Sequence, residues 1–470
     1  MAELPRTCII GAGSSGIATA KIFKENGIPV TVYEKSDRVG GNWVFKNPNG
    51  MSSAYRSLHI NTSRDKMAYS DFPMPADYPD YPHHTQIAAY FDAYVDHFGI
   101  RPHIRFNSGV AHAGLTEDNL WRIELENGEA DYFDYLAVAN GHHWNPRWPE
   151  PPFPGKFEGE ELHSHHYIDP TDPIDMRGKR IVLVGFGNSA LDLACELGSK
   201  TLTEKVYLSV RRGYWVLPRY FGNRVLDFNT PHPSEDPPLW MRLIPPSILR
   251  RMFQKEVERV LGRPDEHGLP KPDHEFLATH PAVSQDIYNR IGSGDVVPKP
   301  NIERFEGKTV HFTDGSSVEA DVVVYCTGYR ITFPFFDESL LAAPGNEIVL
   351  FKRMIDPRYP NLALVALVQP LCAMMPIAEE QSKFLADYLT GRYALPSVKE
   401  MDRDRKRMYE KSRAGYVKTP RHTIQINCGE YTQELRKERA RGAKRAARRG
   451  NRLPVPRRAV RTDDQKTAAE

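Results

Sequence analysis

Two glycine-rich loops, each entered from a short apolar strand, constrain this chain more than any other feature. Gly11-Ala12-Gly13-Ser14-Ser15-Gly16 follows Thr7-Cys8-Ile9-Ile10, and Gly185-Phe186-Gly187-Asn188-Ser189-Ala190 follows Arg180-Ile181-Val182-Leu183-Val184. Each loop opens a segment of helical character, and a second strand closes the unit, Val30 to Tyr33 in the first and Lys205 to Val210 in the second. In such a strand–turn–helix unit the backbone N–H groups at a helix N-terminus reach a dinucleotide pyrophosphate. The βαβ context lifts the glycine pattern above a chance match. Ala190 replaces the last glycine of the second loop, which the broader form of the fingerprint allows.

The two units differ where their second strands end. The first ends at Glu34, a carboxylate placed to accept a hydrogen bond from a ribose hydroxyl and to repel a 2′-phosphate, so the first site should hold FAD or NAD. The second ends at Arg211-Arg212, a pair able to neutralise a 2′-phosphate, so the second site should prefer NADPH.

At 470 residues the chain is too long for one ordinary core and reads as two or three domains. A net charge of +2 gives no global reason to expect nucleic acid. The five cysteines are odd in number and scattered, which predicts a reducing, cytoplasmic setting without structural disulfides or zinc. His163, His165 and His166 lack the further ligands of a metal site, so no metal is expected. No signal-peptide h-region opens the chain, and the longest apolar run, Leu362 to Ala378, is broken by Gln369, Pro370 and Pro376. A soluble protein without a membrane span is expected. The helical stripe Ile87, Tyr90, Phe91, Tyr94 and Val95 reads as core.

Between the loops lies Phe157-x-Gly159-x-x-x-His163-x-x-x-Tyr167. Flanked by two dinucleotide loops, this spacing resembles the fingerprint of the flavin-containing monooxygenases. Gly40-Gly41-Asn42-Trp43, the segment from Tyr55 through Asn61 and Thr62 to Asp71-Phe72-Pro73, and Thr327-Gly328-Tyr329 are similar to further motifs of that family. The resemblance runs over roughly residues 5–435. It implies an FAD site at Gly11, Ala12, Gly13, Ser14, Ser15, Gly16, Glu34, Lys35, Gly41, Asn42, Trp43, Asn61 and Thr62. It implies an NADPH site at Ile60, Asn61, Gly185, Gly187, Asn188, Ser189, Ala190, Asp192, Arg211 and Arg212. Asn61 is the implied catalytic residue; by itself it reads as a loop or capping residue.

The fold class expected is α/β, with two dinucleotide-binding Rossmann-like domains and the NADPH domain inserted into the FAD domain. Residues 1–152 plus 325–435 form the FAD domain, 153–324 the NADPH domain, and 436–470 a basic, disordered or helical tail. The implied activity, including N,N-dimethylaniline monooxygenase activity, is oxygenation of nucleophilic nitrogen or sulfur in small molecules by NADPH and O2 through a C4a-hydroperoxyflavin. The rival is Baeyer–Villiger oxidation of ketones, although that group usually carries tryptophan where this chain has Tyr167. A disulfide reductase would need a Cys-x-x-Cys or Cys-x4-Cys motif, and none exists. Partners are O2 and a small-molecule substrate, with no nucleic acid; a homodimer is compatible with the sequence.

Overall fold

The computed structural model describes residues 3–458 apart from 421. Five strands pair in parallel in the spatial order Leu362–Leu364, Tyr135–Val138, Thr7–Ile10, Val30–Tyr33 and Ile104–Arg105. Thr7–Ile10 and Tyr135–Val138 are buried along their whole length, which explains their unbroken apolar sequences. The first-loop helix, Ser14–Glu25, crosses to the neighbouring strand and packs on the helix Met374–Leu389, where the Thr19 and Ser382 hydroxyls meet at 2.9 Å. The aromatic stripe of His84–His97 is core as expected, with the Tyr94 ring 4.2 Å from that of Tyr69.

A second parallel sheet has the order Val296–Lys299, Lys205–Ser209, Arg180–Val184, Val322–Tyr325 and Glu160–His163. All its strands lie in sequence between Tyr135–Val138 and Leu362–Leu364 of the first sheet. One dinucleotide-type unit therefore interrupts the other, as expected. The chain crosses between them twice, and the two crossings pair with each other. The Arg147 N–H donates to the Gly328 carbonyl and the Arg330 N–H to the Asn145 carbonyl, both at 2.9 Å. The joint is a short antiparallel ribbon rather than two loose tethers.

Two expectations need correction. Cys372 and Cys428 form a disulfide across 56 residues, whereas scattered cysteines suggested none; Cys8, Cys195 and Cys326 are free. Their spacing carries no motif because the strands beside them, Gln369–Pro370 and Gln425–Ile426, meet only through tertiary pairing. The basic segment read as a disordered or helical tail is a docked helix, Cys428–Arg448, over its first part. Tyr431, Leu435, Gly442 and Ala446 recur at helical spacing and are buried. Gly442 is pressed against Tyr393, whose ring would lie 1.9 Å from an added methyl. Some of the cations between them are paired, Arg439 with Asp387 at 2.6 Å and Arg436 with Asp236 at 2.8 Å. Residues 459–470 of that expectation lie outside the described residues. Among the described residues no helix is long and apolar enough to cross a membrane, and no cluster of His, Cys, Asp or Glu has the makings of a metal site.

Candidate active site

Both glycine loops open on one continuous cleft of about 1460 Å3. Of the residues singled out in sequence, Gly11, Gly13, Ser14, Ser15, Glu34, Lys35, Gly41, Asn42, Trp43, Ile60, Asn61 and Thr62 line it from the first unit. Gly185, Gly187, Asn188, Ser189, Asp192, Arg211 and Arg212 line it from the second. Ala12, Gly16 and Ala190 do not; they pack behind the loops.

The loops are built alike. Gly11 (φ +101°) and Gly185 (φ +129°) occupy backbone regions that favour glycine, and an added methyl would meet the Ala139 carbonyl at 2.7 Å or that of Cys326 at 2.5 Å. Each carbonyl follows a neighbouring parallel strand, so each first glycine lets the loop turn against its own sheet. Gly16 is tighter still, because a methyl there would sit 1.8 Å from the Gly11 oxygen. The second unit carries a buried alanine, Ala190, at the corresponding position. Gly13 differs: a methyl would meet only the Gly41 Cα, at 3.6 Å, so the space before it belongs to the cleft.

Gly13 and Gly187 cap their helices without a side-chain hydrogen bond, and neither helix has an acid in its first turn. The leading N–H groups thus face the cleft without a protein anion to satisfy them. Each loop fits a dinucleotide pyrophosphate on that ground.

Glu34 is buried and already engaged. Its carboxylate accepts from the Ala12 N–H at 2.6 Å and the Ser36 N–H at 2.7 Å, holding the loop to the strand end. Burial pushes its carboxyl upward against these donors. Acceptor capacity remains on its oxygens for a ligand hydroxyl. Lys35 pairs with Glu126 at 2.7 Å on the surface. Asn42 accepts from the Ser53 N–H at 2.8 Å, so its side chain folds the wall of the cleft.

On the opposite wall Arg212 is taken up by Asp273 at 2.6 Å. Arg211 is exposed and has no ion pair among the described residues, so of this pair it is the cation left for a ligand. The Asn188 carboxamide oxygen accepts from the Val283 N–H at 2.9 Å and so ties the loop to that backbone.

Asp192 has a role that sequence did not suggest. It accepts the Tyr55 hydroxyl from the other unit, and one turn further Glu196 accepts from Ser57 at 2.8 Å and Tyr167 at 3.1 Å. Burial raises both carboxyls while these hydroxyls pull them back. The segment 55–62 is thereby buttoned to the second-loop helix, Asn188–Leu197. Ile60 is buried and bonded through its N–H to the Pro82 carbonyl, and the Ser63 N–H donates to Asp227 at 2.9 Å. Between these anchors the Asn61 carboxamide lines the cleft with no protein partner among the described residues.

The fingerprint proves to be a joint. Gly159 leaves no room for a side chain between Phe157 and the Asp321 carbonyl. His163 is fully buried at the end of its strand, where its ring meets Trp148 of one crossing and Tyr329 of the other at 5.7 and 5.8 Å. Its Nδ1 accepts from the His165 N–H at 3.1 Å, and burial beside His165 and His166 pushes the ring down to about 4. His165 bonds the Gly50 carbonyl at 2.9 Å. Tyr167, also fully buried, anchors the segment to Glu196.

Two dinucleotide-type units opening face to face on one cleft define an oxidoreductase that uses two nucleotide cofactors. The model of the flavin-binding monooxygenase-like family matches residues 5–445. The chain belongs to this family, and it is a flavoprotein monooxygenase that uses FAD and NADPH. It is 35% identical to rat (Rattus norvegicus) flavin-containing monooxygenase 5 over 444 residues, 92% of this chain and 81% of the relative. It is 31% identical to rat dimethylaniline monooxygenase [N-oxide-forming] 2 over 447 residues, 92% of this chain and 82% of that one. Among solved structures it resembles the S-allyl-L-cysteine S-oxygenase of Allium sativum (TM-score 0.68, 23% identity, covering 100% of this chain and 98% of the other). It also resembles the NADP+-bound cyclohexanone monooxygenase of Rhodococcus sp. Phi1 (TM-score 0.68, 19% identity, 94% and 99%).

Proposed function

We propose that the enzyme oxygenates nucleophilic nitrogen or sulfur atoms of small molecules, with FAD held on the first loop and NADPH on the second. The observation that carries this reading is the shared cleft. A donor nucleotide and an acceptor nucleotide bound on facing loops would meet across it, beside Asn61. When bound, the two cofactors supply hydride transfer and O2 activation. The chain supplies the rest. Gly13 and Gly41 leave space at the first helix N-terminus, Glu34 holds the loop and offers acceptors, and Arg211 offers the charge for a 2′-phosphate. Asn61 presents a carboxamide that both donates and accepts to whatever occupies the junction.

The names of two relatives, an N-oxide-forming and an S-oxygenating enzyme, support nitrogen or sulfur as the target. The test is NADPH-dependent O2 uptake, with product masses read against amines, sulfides and ketones. Amine or sulfide products one oxygen heavier support the reading. Esters from the ketones alone would replace it with Baeyer–Villiger oxidation. A cytoplasmic enzyme, where NADPH is regenerated, fits the reading; the Cys372–Cys428 bond is the feature that pulls against it. A homodimer belongs to the same proposal and is read by sedimentation.

A further inference from the structure

The Cys372–Cys428 disulfide stands at the wall of the cleft. Cys372 lines the cleft together with Gln369, Pro370 and Met374, and Thr419, Pro420 and Ile424 line it from the segment that leads to Cys428. Both cysteines are half-buried, so the bond is within reach of a small reagent. The two sides are otherwise thinly joined. Strands Gln369–Pro370 and Gln425–Ile426 pair over two residues each. The backbone bond nearest the sulfurs, from the Leu371 N–H to the Ile426 carbonyl, is long at 3.3 Å. Beyond it the covalent bond takes over the pairing.

The helices that start beside the two sulfurs, Met374–Leu389 and Cys428–Arg448, have a tie of their own. The Gln381 carboxamide donates to the Tyr431 hydroxyl at 2.6 Å, and that hydroxyl donates to the Lys352 carbonyl at 2.7 Å. Opening the disulfide therefore loosens the cleft wall between Thr419 and Asn427 while the two helices stay docked.

The chemistry of the cleft supplies a reagent for the pair. A flavoprotein monooxygenase that consumes NADPH and O2 without oxygenating a substrate releases H2O2, and entry of water into the site favours that outcome. One thiolate attacks H2O2, breaks its O–O bond and becomes a sulfenic acid, with hydroxide leaving and taking up a proton. The second thiolate attacks that sulfur, the S–S bond forms, and the sulfenic oxygen leaves as water. Two thiols are oxidised to one disulfide, and one H2O2 is reduced to two waters. A dithiol reverses the step by exchange and is itself oxidised to a disulfide. We propose that Cys372 and Cys428 form a redox latch on the cleft. H2O2 released there closes the bond, the closed bond holds the wall against water, and H2O2 release falls. The proposal draws only on the enzyme's use of NADPH and O2, whichever substrate atom is oxygenated.

The holoenzyme is reduced with a dithiol, freed of it by gel filtration, and given NADPH and O2 without a substrate. Alkylation and peptide mass mapping report the state of the pair, while H2O2 release and bound flavin are read from the same samples. The reduced enzyme should release H2O2 about threefold faster than the oxidised enzyme or more, and the pair should close during turnover as the rate falls back. Cys372→Ser/Cys428→Ser should keep its flavin, hold the fast rate and ignore dithiol. Cys195→Ser, which removes a free thiol outside the cleft, should respond to dithiol as the wild type does. Equal H2O2 rates from wild-type enzyme mapped as open and as closed overturn the proposal. So does a pair that stays open through turnover, or one that dithiol does not open in the folded protein. If the double variant fails to hold flavin, the open and closed wild-type samples still decide.

Discussion

The Tyr55 hydroxyl donates to the Asp192 carboxylate across the seam between the segment that carries Asn61 and the helix that opens with Asn188. These residues are 137 apart in sequence and come from different dinucleotide units. Their bond makes the position of Asn61 depend on the position of the second loop. Removing the hydroxyl leaves a buried carboxylate short of a donor, at about 1.5–3 kcal/mol for a charged hydrogen bond. Tyr55→Phe should therefore keep its flavin, because the first loop is untouched, while the Michaelis constant for NADPH rises about tenfold or more. Flavin absorbance and steady-state NADPH titration separate the two. An unchanged constant would mean the seam carries no coenzyme-binding energy.

The glycines of the first loop should divide by cause. Gly13→Val puts side-chain atoms into the cleft but meets only Gly41 at the methyl position, so it should fold and purify colourless. Gly16→Ala drives a methyl into the Gly11 carbonyl and should lower the melting temperature or prevent folding. Ala190→Gly, the change in the opposite direction in the second loop, should cost no more than about 1 kcal/mol. A fully flavinylated Gly13→Val enzyme would remove the first loop from the FAD site.

Coenzyme choice should rest on Arg211 more than on Arg212, because Asp273 already occupies the latter. Arg211→Ala loses a charge-assisted hydrogen bond and should reduce kcat/KM for NADPH about 10- to 100-fold, with little change for NADH. Arg212→Ala should do less. Equal losses with both coenzymes would indicate a folding defect.

His163 sets a pH dependence. Its folded pKa of about 4 lies below the ordinary 6.5, so between those values the unfolded chain binds the extra proton. Its contribution to stability is fully present above pH 6.5 and is lost as pH falls toward 4. On that shift the loss between pH 7 and pH 5 is about 2 kcal/mol. Glu34 and Asp192, whose carboxyls are raised, act with the opposite sign, so the comparison is between His163→Asn and wild type. The variant should be less stable at pH 7 and lose less on acidification, as read by denaturant unfolding at both pH values. Parallel pH curves would show that His163 titrates alike in the folded and unfolded states.

What could be read from sequence and what could not differ in range. Gly11 to Gly16 and Gly185 to Ala190 were legible because strand, turn and helix N-terminus are neighbours in the chain. The contrast of Glu34 with Arg211 was legible for the same reason. The engagement of Arg212 by Asp273, of Asp192 by Tyr55, and of Asn188 by the Val283 backbone was not, since each partner is 61 to 137 residues away. Cys372 and Cys428 were misread because an odd count says nothing of which two meet. The basic helix was misread because its Arg and Lys dominate the composition, while the stripe of Tyr431, Leu435, Gly442 and Ala446 contains two small residues that register as neither core nor charge.

Asn61 is the residue on which product formation should turn. Its backbone neighbourhood is fixed by Ile60 and Ser63, and its carboxamide faces the cleft without a protein partner among the described residues. A carboxamide can accept from one ligand and donate to another without releasing a proton. Aspartate keeps the shape but, when ionised, only accepts, and it adds a negative charge to a site where O2 must gain electrons. Asn61→Asp should therefore retain FAD, consume NADPH at a rate within about tenfold of wild type, and release H2O2 in place of oxygenated product. The measurement is the ratio of H2O2 to product per NADPH consumed, with flavin content as the control for folding. A variant that converts NADPH to oxygenated product as efficiently as the wild type would take Asn61 out of the catalytic machinery.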